Sequence, residues 1–196
     1  AQDLPDGGYV NLGIGMPVLA SNHAPPGREI MFHSENGLLG VGPEAEGEAV
    51  DPDLVDAGSR RVTLRRGAAV VDSAEAFAMI RGGHIDITLL GGYEVSASGD
   101  LANWDMRSPG KGQLVGGAMD LAVGARSVWV IMAHVTRGGE PRLVESCSLP
   151  LTGIGVVDRI YTDRAVIDVT ADGFLVREIV KGLDAKALQA LTGAPL

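Results

Sequence analysis

The sequence has 196 residues, of which 45% are hydrophobic and 28 are glycine, and its formal net charge is −9 with a pI near 4.8. This length allows a real hydrophobic core, and we expect a single domain over residues 1–196. The acidic balance argues against nucleic acid as the main partner. Apolar runs such as Val128 to Ala133 are far too short to cross a bilayer, so no membrane partner is expected.

The cysteine content indicates a reducing compartment. The chain has one cysteine, Cys147, which excludes an internal disulfide. No basic and apolar signal segment opens the chain, and we therefore expect a cytoplasmic location. The histidines His23, His84 and His134 show no spacing that suggests a metal site, and we predict none.

The first predicted unit is a strand over residues 9–14, with Gly13 near its end and Gly15 just after it, and a helix that begins near Pro17. The pattern suggests the dinucleotide fingerprint G-x-G-x-x-G. However, Val18 stands where its third glycine would fall, so we reject that interpretation. Gly13 and Gly15 still allow a substrate to approach the amide donors at the start of the helix, and both are candidate substrate-binding residues.

The second predicted strand, over residues 28–33, leads into the turn sequence Ser34-Glu35-Asn36-Gly37. A carboxylate that follows a strand lies at the carboxyl edge of the sheet, where open α/β folds bind their ligands. Gly37 permits a sharp turn and a close approach by a substrate. Glu35 is therefore the candidate for catalysis, and the alternative is a surface glutamate beside a turn. Asn36 would either orient Glu35 or satisfy the backbone of the turn.

The middle of the chain alternates between loops and regular elements. Residues 43–53 are acidic, contain glycine and proline, and are predicted to form a surface loop. Two strands are expected, over residues 61–64 and 68–71. A helix follows, with Asp72 as its cap, and it ends at Gly82-Gly83 before another strand.

The last hundred residues begin with an irregular stretch, residues 97–117, whose length in a compact domain is typical of a functional loop. The later predicted elements are a helix over 119–123, four strands over 127–133, 159–161, 165–169 and 174–180, and a final helix that Asp184 caps. Strands and helices alternate through the first two-thirds of the chain. This alternation predicts an α/β fold with an open, mostly parallel sheet and helices on both faces.

Five segments of the sequence resemble, in this order, the motifs of the B-type subunit of the family I CoA-transferases. They cover residues 10–17, 34–40, 80–86, 99–104 and 116–121, and the resemblance extends from about residue 9 to residue 196. Two later segments, 150–154 and 159–163, look most like the B-type subunits of 3-oxoadipate and 3-oxoacid CoA-transferases. The resemblance implies the same α/β architecture, with an antiparallel extension near the C-terminus.

The resemblance also implies a chemistry. In that family the glutamate of the Ser-Glu-Asn-Gly segment attacks an acyl-CoA thioester and then carries CoA as a glutamyl thioester, which implies that Glu35 is the nucleophile. Backbone amides near Gly116, Gly117 and Ala118 are implied to stabilise the oxyanion. Leu114-Val115 stands where the family pattern has Gly-Met. Coenzyme A would be a substrate, and no cofactor is implied.

The implied function is the transfer of CoA from succinyl-CoA, the expected donor, to 3-oxoadipate or acetoacetate, with an A-type subunit as the partner. Arg107 is in a position to offer a cation to the distal carboxylate of a dicarboxylic acid. The arginines at 60, 61, 65 and 66 would suit the phosphates of CoA, and a solvated strand edge would have the same pattern. One alternative is a subunit of this fold with hydrolase-like or lost transferase activity. A non-catalytic regulatory domain, the other alternative, would not need Glu35.

Overall fold

The computed structural model describes residues 1–107, 113 and 115–196. The chain divides into two compact units, one of Ala1–Leu90 with Gly124–Arg126 and one of Gly91–Val123 with Ser127–Leu196. Leu114, one of the two residues that differ from the family pattern, lies outside the described residues. Among the described residues, no helix combines the length and the apolar character needed to span a bilayer.

The first unit is built on five strands in the order β5-β1-β2-β3-β4. They are β1 (Tyr9–Leu12), β2 (Met31–Ser34), β3 (Leu38–Glu44), β4 (Val62–Val70) and β5 (Ile87–Gly91). β1 pairs in parallel with β2 and β5, whereas β3 pairs antiparallel with β2 and β4. Val10, Leu12 and Phe32 on the parallel strands are at most 1% exposed. Parallel strands that are covered on both faces are typically this apolar.

Three helical elements accompany these strands, namely a 3-10 helix (Met16–His23), a second 3-10 helix (Gly47–Ala49) and α1 (Ser73–Arg81). The predicted cap of α1 is confirmed, because the Asp72 side chain accepts a hydrogen bond from the backbone N–H of Glu75 over 2.8 Å. Gly82 ends the helix, also as predicted. The helix predicted at Pro17 is present, but it is a 3-10 helix and not an α-helix.

The structure corrects the prediction between residues 38 and 71. Part of the predicted surface loop is strand β3, and the two short strands predicted after it are one strand, β4. The sequence did not predict β3 because this strand contains glycines, which are generally unfavourable in strands. A Cβ at Gly40 would lie 2.8 Å from the Cβ of Ala68 on β4, so this glycine allows the close approach of the two backbones.

The second unit has four strands in the order β12-β11-β10-β8, beside a small sheet in the order β7-β6-β9. The elements are β6 (Glu94–Ser96), β7 (Leu101–Ala102), α2 (Ala118–Gly124), β8 (Ser127–Ile131), β9 (Leu143–Val144), β10 (Val157–Tyr161), β11 (Ala165–Thr170), β12 (Gly173–Ile179) and α3 (Ala185–Ala190). β8 and β10 are parallel, and β10, β11 and β12 are antiparallel neighbours. The predicted α/β class and the C-terminal antiparallel extension are therefore confirmed. The small sheet was not predicted, because strands of two or three residues are too short to show a period.

Candidate active site

Glu35 lies in a tight turn that joins β2 to β3. The backbone N–H of Gly37 donates to the carbonyl oxygen of Ser34 over 3.0 Å and closes the turn. Gly37 has a φ of 118°, and a Cβ at this position would overlap the carbonyl oxygen of Val71. Only glycine combines this backbone conformation with so close a neighbour. Because β2 runs parallel to β1, the turn lies at the carboxyl end of the parallel strands, and there Glu35 is half-buried.

Residues 54–60, here called the 54–60 loop, hold this turn on both sides of Glu35. On one side, the backbone N–H of Ala57 donates to Oγ of Ser34 over 2.9 Å. On the other side, Nδ2 of Asn36 donates to the carbonyl oxygen of Val55 over 2.8 Å. The Asn36 side chain, whose role the sequence left open, therefore fastens the turn to the 54–60 loop.

The 54–60 loop also contains a buried ion pair that the sequence patterns did not predict. Asp56 is 2% exposed, and its Oδ2 accepts a hydrogen bond from Nε of Arg60 over 3.0 Å. The Arg60 side chain is only 12% exposed, so this arginine serves the fold, whereas Arg61 and Arg66 remain exposed. The signal in the sequence is an aspartate and an arginine four residues apart around Gly58.

A row of buried polar side chains crosses the three parallel strands below the turn. Asn11 on β1 has His33 of β2 and Thr88 of β5 as its register partners. Nδ2 of Asn11 contacts Nδ1 of His33 over 3.0 Å, and Oγ1 of Thr88 donates to Oδ1 of Asn11 over 3.2 Å. Burial lowers the pKa of His33 to about 4, so its ring is neutral at pH 7. Nδ1 of His33 is therefore the acceptor, and the ring proton is on Nε2.

The two candidate glycines after β1 differ in what they offer. The N–H of Gly13 donates to the carbonyl oxygen of Leu89 over 2.8 Å, and a Cβ there would lie 2.6 Å from the same oxygen. Gly13 thus joins two strand ends and has no free amide for a ligand. Gly15 has a φ of 94° and open space around its Cβ position, and its neighbours Ile14 and Met16 are 62% and 50% exposed. This segment is accessible and apolar.

The predicted oxyanion residues lie in the second unit, at the start of α2. Gly116 is exposed with a φ of 50°, and Gly117 is buried. The carbonyl oxygen of Gly117 accepts a hydrogen bond from the N–H of Leu121 over 3.0 Å, which opens the helix at Ala118. The two glycines therefore form the entry into α2.

Nearby loop residues of the second unit have structural partners. Nδ2 of Asn103 donates to the carbonyl oxygen of Gly91 over 3.1 Å, and Nε1 of Trp104 donates to that of Leu151 over 3.2 Å. These bonds anchor the start of the irregular stretch. Among the described residues, no group of three or more histidine, cysteine or acidic side chains is placed to hold a metal ion.

Comparison with known proteins adds to this geometry. Residues 1–189 match the family model described as Coenzyme A transferase. The B-type subunit of 3-oxoadipate CoA-transferase from Pseudomonas putida is 52% identical over 196 residues, which is 100% of this chain and 92% of that protein. The B-type subunit of succinyl-CoA:3-ketoacid coenzyme A transferase from Helicobacter pylori is 47% identical over 99% of this chain and 93% of its own length.

A solved structure supports the same fold. The acyl-CoA transferase apoenzyme from Escherichia coli superposes with a TM-score of 0.76, over 98% of this chain and 39% of its own, at 18% identity. This chain therefore spans about two-fifths of that longer polypeptide, and at this identity the likeness concerns the fold alone.

Proposed function

The chain belongs to the coenzyme A transferase family, and we propose that it is the B-type subunit of an enzyme that moves CoA from an acyl-CoA to a 3-oxo acid. The observation that carries the proposal is the position of Glu35. Its carboxylate lies in a glycine-closed turn at the carboxyl end of parallel strands, within the intact segment Ser34 to Gly37. Full-length identities of 52% and 47% to the B-type subunits of such transferases support the same assignment.

We propose that the reaction proceeds through two covalent intermediates on Glu35. The carboxylate attacks the thioester carbonyl of the acyl-CoA, the C–S bond breaks, and CoA leaves as a thiolate from an acyl-glutamyl anhydride. The thiolate then attacks the glutamyl carbonyl, the acid departs as a carboxylate, and a glutamyl-CoA thioester remains. The acceptor acid reverses both steps. No net proton or electron is gained, so the turn has to supply only a placed carboxylate.

Each addition step places negative charge on a carbonyl oxygen, and preorganised amide donors stabilise such a charge. We assign this role to the backbone amides around Gly116, Gly117 and Ala118, at the entry into α2. Around Glu35, the proposed contributions differ among the candidate residues. Gly37 shapes the turn, Asn36 fastens it, and the open space at Gly15 admits the substrate, whereas Gly13 acts through its small size.

For the substrates, we propose succinyl-CoA as donor and 3-oxoadipate as the first acceptor, with acetoacetate as the second. The 52% identical relative is named for 3-oxoadipate, and the 47% identical one is named for succinyl-CoA and a 3-ketoacid. The two identities differ little, so the preference for 3-oxoadipate over acetoacetate rests on a small difference. A dicarboxylic acceptor needs a cation for its distal carboxylate. Arg107 is exposed, its backbone N–H donates to Oδ1 of Asp105 over 2.7 Å, and we propose its guanidinium for that purpose.

An A-type subunit would complete the enzyme. Both relatives are named as the B-type subunit of their enzyme, which supports a second, different subunit here. Coenzyme A is a polyanion that needs cations, whereas this chain has a net charge of −9 and its Arg60 is committed to Asp56. We propose that the partner supplies the rest, and that the assembled enzyme is cytoplasmic, as the single cysteine suggests.

The experiment is a transfer assay on the chain assembled with an A-type subunit from the same genome. Succinyl-CoA and a panel of 3-oxo and short-chain acids are supplied, and both new acyl-CoA and free CoA are measured. We expect transfer to a 3-oxo acid in the wild type, and its loss in Glu35→Gln. Glu46→Gln, which changes an exposed glutamate 11 residues further on, should keep full activity. Free CoA without transfer would favour the hydrolase-like alternative instead.

A further inference from the structure

The 54–60 loop is folded around the carboxylate of Asp56. Oδ1 accepts hydrogen bonds from the N–H groups of Gly58 and Arg60, each over 2.9 Å, and Oδ2 accepts one from Nε of Arg60 over 3.0 Å. The backbone also closes on itself, because the N–H of Asp56 donates to the carbonyl of Arg60 over 3.0 Å. Ser59 at the tip adopts a φ of 62°, which is unusual for serine. The buried carboxylate is thus what holds this loop in shape.

The residues on either side of Asp56 bind the residues on either side of Glu35. Ala57 donates to Ser34, and Val55 accepts from Asn36, over 2.9 and 2.8 Å. Two hydrogen bonds that bracket one residue restrain both the position and the rotation of the peptide between them. The conformation of the Glu35 turn therefore depends on the shape of the loop that Asp56 organises.

Arg60 extends the same connection to the glycine segment after β1. Its Nη2 donates to the carbonyl oxygen of Val18 over 2.8 Å and to Oγ of Ser21 over 3.0 Å, both in the 3-10 helix Met16–His23. Gly58 lies against Ile14 as well, since a Cβ on it would be 3.9 Å from Cγ2 of Ile14. The pair Asp56–Arg60 thus joins the turn that carries Glu35 to the helix that begins after Gly15.

We propose that Asp56, through its buried pair with Arg60, is a positioning residue that sets the Glu35 carboxylate relative to the segment Gly13 to Met16. This inference rests on the proposed role of Glu35 as nucleophile. A nucleophile must lie within a few tenths of an ångström of its productive position, and a displacement of about 1 Å costs on the order of a hundredfold in rate. A buried carboxylate is suited to that purpose when, as here, it fixes the loop whose backbone bonds on either side of the nucleophile, because its pairing with Arg60 restrains that loop.

The test compares the rate of chemistry with stability. In the complex with the A-type subunit, succinyl-CoA is mixed rapidly with enzyme, and covalent CoA on Glu35 is measured by mass spectrometry during a single turnover. Asp56→Asn keeps the shape but removes the charge, and Arg60→Lys keeps the charge but loses the contacts of Nη2. We expect both to slow labelling at saturating succinyl-CoA by about ten- to a hundredfold, with Glu35 still the labelled residue.

The matched control is Asp168→Asn in the second unit. Asp168 accepts hydrogen bonds from Nε of Arg159 and Nε of Arg177, each over 2.6 Å, so its loss also breaks an ion pair and lowers the melting temperature. If positioning is specific, this control lowers the melting temperature but labels Glu35 at the wild-type rate.

Wild-type labelling rates in Asp56→Asn, or equal slowing in Asp168→Asn, would overturn the positioning role. If Asp56→Asn does not fold, Ser34→Ala provides the same test, because it removes one bracketing bond and leaves the ion pair intact. Slow labelling in Ser34→Ala supports the proposal, and a wild-type rate overturns it. Absence of any label on Glu35 in the wild type would instead refute the proposed nucleophile, so the two failures are distinct.

Discussion

Asn11 donates a hydrogen bond to Nδ1 of His33 over 3.0 Å, and this bond joins two buried side chains on neighbouring parallel strands. The other end of the Asn11 amide accepts from Thr88, so the row fixes the orientation of the amide and the tautomer of the ring together. β1 and β2 lead directly into the glycine segment and the Glu35 turn. The row therefore holds the register of the two strand ends that carry the candidate site.

Acidification should destabilise the fold through His33. Burial lowers its pKa from 6.5 to about 4, so between these values the unfolded chain takes up a proton that the folded chain does not. The contribution of His33 to the free energy of unfolding is fully present above pH 6.5. It is lost as the pH falls towards 4, and the loss amounts to about 3 kcal/mol. Urea unfolding at pH 7 and pH 4.5 measures the loss. In His33→Gln, which cannot titrate, we expect the difference between the two pH values to shrink by most of that amount, and an unchanged difference would contradict the assignment.

Gly37→Ala should damage both the fold and the chemistry. A methyl group there would overlap the carbonyl oxygen of Val71 at a φ of 118°, so the turn must open. We expect a loss of about 1–3 kcal/mol in the free energy of unfolding, together with loss of transfer activity. Gly67→Ala is the control, because Gly67 has a φ of 84° but open space around its Cβ position. It should cost about 1 kcal/mol and leave activity intact. Equal losses of stability and activity in Gly37→Ala and Gly67→Ala would show that the overlap with the carbonyl oxygen of Val71 does not matter.

The isolated chain should have no transferase activity. The chain has a net charge of −9, and its candidate cation Arg60 is held by Asp56. We expect succinyl-CoA to be turned over only after the A-type subunit is added, with activity that saturates at a fixed ratio of the two chains. Titration of one purified subunit into the other, followed by rate and by mass in solution, measures this. Full activity from the chain alone would contradict a two-subunit site.

The acceptor preference should depend on Arg107. If 3-oxoadipate is the acceptor, its kcat/KM should exceed that of acetoacetate by at least about tenfold, or roughly 1.4 kcal/mol of transition-state binding. Arg107→Ala should remove most of that preference and spare acetoacetate, which has no distal carboxylate. Arg137→Ala, at another exposed arginine in a turn, should change neither value. An equal or reversed preference in the wild type would favour acetoacetate as the natural acceptor.

Local sequence patterns predicted the elements that have strong local signals. Asp72 and Asp184 were recognised as helix caps because a cap depends on one side chain and the next turn, and both accept the expected backbone hydrogen bonds. The sequence did not predict β3 because Gly40 and Gly42 interrupt its apolar pattern. Glycine is needed at both positions because the backbone lies close to β4, which is more than 20 residues away in the sequence. Such contacts leave no periodic signal.

The same distinction applies to the candidate site. Glu35 could be selected from its place after a strand and from the motif around it. The buried pair of Asp56 and Arg60 could not be selected from the sequence, because an aspartate in a glycine-containing loop normally indicates a solvated turn. Its burial depends on the 3-10 helix Met16–His23, which supplies the Val18 and Ser21 acceptors from a distant part of the chain.

Covalent attachment of CoA to Glu35 is tested most directly by mass spectrometry of the trapped intermediate. The complex with the A-type subunit is incubated with succinyl-CoA, reduced with borohydride, digested, and mapped peptide by peptide. Borohydride converts a glutamyl thioester to an alcohol, which marks the residue permanently. We expect the mark on Glu35 alone, dependent on succinyl-CoA and absent from Glu35→Gln. A mark on another residue, or normal turnover by Glu35→Gln, would contradict the covalent role of Glu35.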